Sequence, residues 1–298
     1  MKNANFENQL TGIKNVECLD GQAAYLYFKH DKPREGSLPV LIAGGWSEGT
    51  ESLRDTAQVV YEDGRDVLIV DHARSGGLKR NETDYHPEVA HKAQTLLNIL
   101  DDAHLEKVDV IAHSEGSLNT ALAAQLQPER FRIIINVAPA GMIGHDTIPR
   151  LGARFVPKIV RGMTKDMKEI KQRDPASAKR FADAGPTYIR SNLRKGLREI
   201  GAIAHTQIDD QLVDLRNAGI RIGVLQSHSD SGFPDKRIYK HTVLAEAGAG
   251  NLSEDLQMSV DAYASVAAED AGHDDLIIHP ERATRGALDM LATLEQLK

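Results

Sequence analysis

The chain contains a single cysteine, Cys18. One thiol excludes an internal disulfide framework and a clustered cysteine metal site. Long apolar runs are missing too: no stretch approaches the roughly 18 uncharged apolar residues needed by a membrane-spanning helix. The opening ten residues likewise hold no apolar core of signal-peptide length. These absences give the expectation of a cytoplasmic protein without stable membrane insertion. Charge of one sign is not concentrated either. The formal net charge is −7 over 298 residues, a modest value that argues against nucleic acid as the main partner. With 41% apolar residues, a chain of this length buries a large core as one domain plus an insertion or as two domains.

What is present is an alternation of strands and helices. Runs around Val16 to Leu19 and Ala23 to Lys29 flank an Asp20-Gly21 turn, which predicts an opening antiparallel hairpin. Four almost wholly apolar runs follow: Pro39 to Ala43, Asp66 to Val70, Val108 to Ala112 and Phe131 to Val137. Continuous apolar strands are what a parallel sheet covered on both faces requires. Between the second and third, Val89, Ala93, Leu96, Leu97 and Leu100 share one helical face. The expected fold class is therefore α/β, with a mostly parallel central sheet covered by helices on both faces.

Residues 141–217 break the rhythm. Helical stretches around Ala176 to Ala184, Ser191 to Ala202 and Thr206 to Arg216 are interrupted by Pro149, Pro157, Pro175 and Pro186, and no buried strand is evident. The part between Arg161 and Arg198 is basic, which reads as a wet surface more readily than as a binding groove. The sheet pattern resumes at Ile220 to Leu225 and near Ser259 to Ala268, and a final amphipathic helix covers roughly Glu281 to Leu297. This organisation predicts a core made of 1–140 and 218–298 and a helical cap, 141–217, inserted after strand six.

The chemistry-bearing stretch is Val108 to Ser117. A β-branched run ends at Ser114, with Ala112 and Gly116 two positions to either side, and a helix-like segment follows immediately. Strand, serine, helix is the order that places a nucleophile on a sharp turn with its hydroxyl exposed. Ser114 then needs a base, and the base needs an orienting group. Loops at the carboxyl ends of strands are where an open parallel sheet collects them. After Leu225 the loop carries Asp230, and after the last strand the loop carries His273. The Gly44-Gly45-Trp46 loop lets backbone approach a bound carbonyl, so the N–H groups of Trp46 and Glu115 are the candidate oxyanion hole.

With these motifs in this order, the chain resembles the α/β-hydrolase family from about Pro39 to its C-terminus. The resemblance implies Ser114 as nucleophile, Asp230 as acid and His273 as base. It also matches Gly45-Trp46 to the family's oxyanion loop, Asp71 to Gly77 to its aspartate- and glycine-bearing loop, and 141–217 to its cap. Two positions depart from the pattern: Ala112 replaces the first glycine of the nucleophile turn, and Gly44 stands where many relatives have a histidine. Alanine is small enough for the turn to survive.

The expected reaction is hydrolysis of a carboxylic ester of a small soluble substrate through an acyl-enzyme, with no metal and no cofactor. Amide, peptide or carbon–carbon bond hydrolysis by the same triad, or a non-catalytic binding module on the same fold, are the alternatives. His228 is weighed as a substrate contact or a hydrogen-bonded loop residue, and Glu48 as a pocket group or a helix cap. His145 and His205 have no ligand-like spacing with acids. Oligomeric state is not readable from the pattern.

Overall fold

Apolar runs that alternate side by side become the strands of one eight-stranded sheet. The computed structural model describes residues 4–10, 12–18, 21–72, 86–144, 146–155, 168, 170–172, 175, 178–179, 193–243, 260–267 and 272–297. The strands are β1 (Lys14–Cys18), β2 (Gly21–Phe28), β3 (Val40–Ala43), β4 (Val67–Asp71), β5 (Val108–His113), β6 (Phe131–Val137), β7 (Arg221–Ser227) and β8 (Ala262–Val266). Their order across the sheet is β1-β2-β4-β3-β5-β6-β7-β8. The β1/β2 and β2/β4 pairs are antiparallel, as the opening hairpin predicts, and the remaining pairs are parallel.

The period-two alternation of a strand explains why these runs are apolar throughout. Leu41 and Ala43 of β3 join one core cluster, while Val40 and Ile42 join the other. The first cluster is completed by Leu96 and Leu100 from helix Pro87–Asp102, Leu118 and Leu122 from helix Gly116–Leu126, and Leu212 from helix Asp209–Asn217. The second is completed by Val60 from helix Arg54–Glu62 and by Ala287 and Leu291 from helix Pro280–Gln296. Helices therefore cover both faces, and the polar side chains that the central strands do carry, such as Asp109 and Asn136, are buried with hydrogen-bonding partners.

Beyond β6 comes the helical insertion. Its described parts are a helical run at 148–155, isolated helical residues between 168 and 179, helix Leu193–His205 and helix Asp209–Asn217, with no strand among the described residues. The helix expected around Ala176 to Ala184 lies largely outside the described residues, as does the Asp71 to Gly77 loop beyond His72 and the basic stretch up to 192. Among the described residues, no helix is long and apolar enough to cross a membrane.

The strand order creates the site. β3 lies between β4 and β5, so the chain leaves β3 to one side for β4 and crosses back for β5. A reversal of this kind opens a crevice beyond the carboxyl ends of the two central strands. At the opposite end of the sheet, fully buried Arg65 holds both carboxylate oxygens of Glu295 at 3.0 Å, which fastens the final helix across the strand starts.

The helix that begins at Gly116 starts closely against β3. A Cβ on Gly116 would lie 2.1 Å from the Ala43 carbonyl oxygen and 2.8 Å from that of Gly44. Both obstacles are backbone and have little freedom to move. Gly116→Ala is therefore expected to lower unfolding free energy by about 1–3 kcal/mol, the usual range for overpacking, measured by urea denaturation. An unchanged midpoint would show that this close approach does not constrain the fold.

Candidate active site

β5 delivers its last residues into the crevice and then turns abruptly. Ser114 has φ 51°, a left-handed conformation that a side-chain-bearing residue rarely adopts. Three backbone hydrogen bonds fix it there. Its N–H donates to Val137 O at 3.1 Å, and its carbonyl accepts from the N–H groups of Ser117 and Ala140, each at 3.1 Å. Helix Gly116–Leu126 begins directly behind it. Ala112 is fully buried beside β3, and the turn forms with alanine in that position.

Two further loops complete a chain of hydrogen bonds. His273 Nε2 lies 2.9 Å from Ser114 Oγ, and its Nδ1 lies 2.9 Å from Asp230 Oδ2. A carboxylate offers only lone pairs, so Nδ1 carries the proton and Nε2 of the neutral ring accepts from the serine hydroxyl. Asp230 Oδ1 accepts from the N–H groups of Gly232 and Phe233 at 2.7 and 3.1 Å. Those two donors set the carboxylate's orientation. The rings of Phe155 and Phe233 stand edge-on to His273, each with its centroid at 5.1 Å. Phe155 reaches that place over Gly232, where a Cβ would lie 2.4 Å from the ring. Arg154, its neighbour, donates to Gly232 O at 2.8 Å, joining the start of the insertion to the acid loop.

The Gly44-Gly45-Trp46 loop passes on the other side of the serine. A Cβ on Gly45 would be 2.9 Å from Ser114 Cβ, so the backbone comes this close only because residue 45 has no side chain. The Trp46 ring N–H donates to Glu199 Oε2 at 3.0 Å, and Glu199 belongs to helix Leu193–His205 of the insertion. Trp46 thus packs beneath the insertion.

Four groups around the triad carry roles that the linear pattern does not display. His113, fully buried and directly before the serine, lies 2.7 Å from Glu48 Oε1 through Nδ1 and 2.8 Å from the His273 carbonyl through Nε2. Burial opposes its charge, but Glu48 and the His273 carbonyl outweigh that and raise its pKa to about 9. Glu48 also accepts from Gly45 N–H at 2.7 Å, so it is neither a helix cap nor a solvated group. Glu115 has its side chain buried against Lys92, whose Nζ lies 2.8 Å from both Glu115 oxygens and from Glu199 Oε1. Burial disfavours the Lys92 ammonium, and the two carboxylates more than compensate. The one sequence signal for Lys92 is a lysine beside the apolar stripe of its helix.

Other weighed residues fall elsewhere. His228 is exposed and pairs with Asp235 at 3.3 Å; His205 is exposed and His145 lies outside the described residues. Among the described residues, no group of three His, Cys, Asp or Glu side chains is placed to hold a metal.

An eight-stranded, mostly parallel sheet with a helical insertion after its sixth strand and a serine, histidine and aspartate linked at strand ends is the α/β-hydrolase fold. Solved structures share it over almost the whole chain. A bacterial membrane phospholipase A superposes with a TM-score of 0.64 at 16% identity, covering 96% of this chain and 87% of that one. An α/β hydrolase enzyme from a Medee basin deep-sea metagenome library gives 0.64 at 14% identity, covering 96% and 98%. A thermophilic esterase from Thermogutta terrifontis gives 0.62 at 15% identity, covering 95% and 98%. At such identities the likeness is one of fold. No protein-family model and no curated protein matches the chain.

Lys92 neutralises two carboxylates that have almost no contact with water, its own side chain being 3% exposed. Lys92→Met takes away the ammonium that both Glu115 and Glu199 contact. Unfolding free energy is expected to fall by about 3–5 kcal/mol, the cost of breaking a buried pair, read from chemical denaturation at neutral pH. A loss below about 1 kcal/mol would mean that the carboxylates find other neutralising groups.

Proposed function

We propose that the protein is a serine hydrolase that cleaves carboxylic esters of small substrates through an acyl-enzyme. The observation carrying this reading is the Ser114–His273–Asp230 relay, with both links at 2.9 Å and the serine held at φ 51°. In this reading residues 141–217 form the cap, and the backbone N–H groups of Trp46 and Glu115 form the oxyanion hole.

Ser114 Oγ attacks the ester carbonyl carbon while its proton moves to His273 Nε2. The carbonyl oxygen, now an anion, is held by the Trp46 and Glu115 N–H groups, with the N-terminus of helix Gly116–Leu126 adding its positive end. Collapse breaks the carbon–oxygen bond to the alcohol, which leaves with the proton from His273. Water then gives a proton to the same nitrogen and attacks the acyl carbon, releasing the carboxylic acid and restoring Ser114. Asp230 keeps the proton on Nδ1 and stabilises the imidazolium formed in both halves. Ser114 and His273 are each only 5% exposed, which supports a small substrate bound beneath the cap. The names of the phospholipase and esterase that share the fold agree with ester chemistry.

A fluorescent fluorophosphonate is expected to label Ser114, located by peptide mapping, and short-chain p-nitrophenyl esters are expected to turn over. Ser114→Ala should abolish labelling and turnover while leaving the melting temperature near that of wild type. Asp230→Asn should lower kcat by about 10³–10⁴-fold through the wrong histidine tautomer. Labelling without ester turnover would move the assignment to amide or carbon–carbon substrates. Folded protein that is not labelled would overturn it.

A further inference from the structure

We propose that His113, held as an imidazolium between Glu48 and the backbone of His273, is a positioning residue that keeps the base loop and the oxyanion loop in register beneath Ser114. The inference rests on the hydrolase reading for its kinetic consequence, but its structural basis is separate. Both atoms facing the ring are acceptors: a carboxylate oxygen at Nδ1 and a carbonyl oxygen at Nε2. A neutral imidazole has one N–H and satisfies only one of them, so the pairing calls for a proton on each nitrogen.

The ring is placed where three catalytic segments meet. Its own backbone leads directly into Ser114. Through Nε2 it holds the residue that carries the base, and its ring centroid lies 5.2 Å from that of His273. Through Nδ1 it holds Glu48, whose second oxygen accepts from Gly45 N–H, and a Cβ on Gly45 would lie only 2.9 Å from Ser114 Cβ. The charged and titratable groups facing it are Glu48, His273 and Asp274, and the last adds a further negative potential. A displacement of about 1 Å between nucleophile, base and oxyanion donors is enough to cost about 100-fold in rate. A rigid, doubly bonded ring resists such a displacement, whereas a singly bonded one frees one of the two loops.

Two variants separate the brace from general packing. His113→Phe keeps the ring and removes both hydrogen bonds. Glu48→Gln keeps an oxygen for Gly45 N–H and turns its amide N–H₂ toward Nδ1, which then accepts, so His113 is neutral but still bonded at both ends. With p-nitrophenyl butyrate, kcat is expected to fall about 100-fold in His113→Phe and about 5–10-fold in Glu48→Gln, with KM within about threefold of wild type in each. Wild-type kcat should drop as pH rises through about 9, where His113 loses its second proton. That drop should be absent in Glu48→Gln. Histidine ¹⁵N NMR, assigned by the signal missing from His113→Phe or from Glu48→Gln by its changed tautomer, should show both His113 nitrogens protonated at neutral pH.

A folded His113→Phe with wild-type kcat, identical wild-type and Glu48→Gln profiles from pH 8 to 10, or a singly protonated His113 at neutral pH would each overturn the brace. If His113→Phe does not fold, the comparison of wild type with Glu48→Gln decides. Wild-type protein that neither turns over esters nor reacts with fluorophosphonate would refute the hydrolase reading instead, and the NMR result would then decide the state of His113 by itself.

Discussion

The left-handed backbone of Ser114 is the constraint around which the rest of the structure is arranged. That conformation is disfavoured by about 1–2 kcal/mol for a residue with a Cβ, so it persists only because its surroundings over-determine it. The carbonyl of Val137 at the end of β6, the N–H of Ala140 beyond it and the helix starting at Gly116 each bind the serine backbone. Gly116 must lack a side chain for the helix start to lie against the Ala43 and Gly44 carbonyls, where Ala43 of β3 pairs with Ala112 of β5. The strand reversal at β3 and β5 puts the serine turn at the carboxyl ends of the central strands, and the Ser114 hydroxyl faces His273 Nε2. Fold and site are consequently stabilised by the same contacts.

Ionic groups are distributed on the same logic. At the amino ends of the strands, Arg65 and Arg132 converge on Glu295 and Asp109, binding the last helix to the sheet. At the carboxyl ends, Lys92 joins Glu115 of the serine turn to Glu199 of the insertion, and Arg198 reinforces the same contact by pairing with Glu88. Buried pairs of this kind contribute little net stability compared with apolar packing. Their geometric demands are strict, however, because charged donors and acceptors gain from pairing only over a narrow range of separations and angles. They therefore fix how the insertion and the loops sit on the sheet, while the apolar clusters supply the driving force for burial.

Much of the architecture was legible in the residues. The apolar runs beginning at Pro39, Asp66, Val108, Phe131 and Ile220 form five of the six strands in parallel pairs, because a sheet covered on both faces leaves an unmistakable continuous pattern. The opening hairpin and the place of the insertion were equally plain. Ser114, Asp230 and His273 stand out in the sequence because each lies in a loop that follows a strand, and the structure brings them within hydrogen-bonding distance of one another. Other features depended on contacts distant in sequence. His113 and Glu48 are 65 positions apart, and nothing in either neighbourhood marks them as partners. Nothing in the sequence marks the Glu115 side chain as internal; the packing of helix Pro87–Asp102 against helix Gly116–Leu126 buries it beside Lys92. Short-range periodicity reports which face is apolar, and it is silent on which polar groups meet inside.

The hydrogen bond from Trp46 to Glu199 has an optical consequence. Trp46 is the only tryptophan in the chain, and its indole N–H is bound to a carboxylate of the insertion while its backbone belongs to the loop beside the serine. Indole emission responds to the polarity and hydrogen bonding around the ring. With excitation selective for tryptophan, the emission of the protein is thus the signal of one contact, between the insertion and the loop beside the serine, and it reads that seam as a single-site reporter.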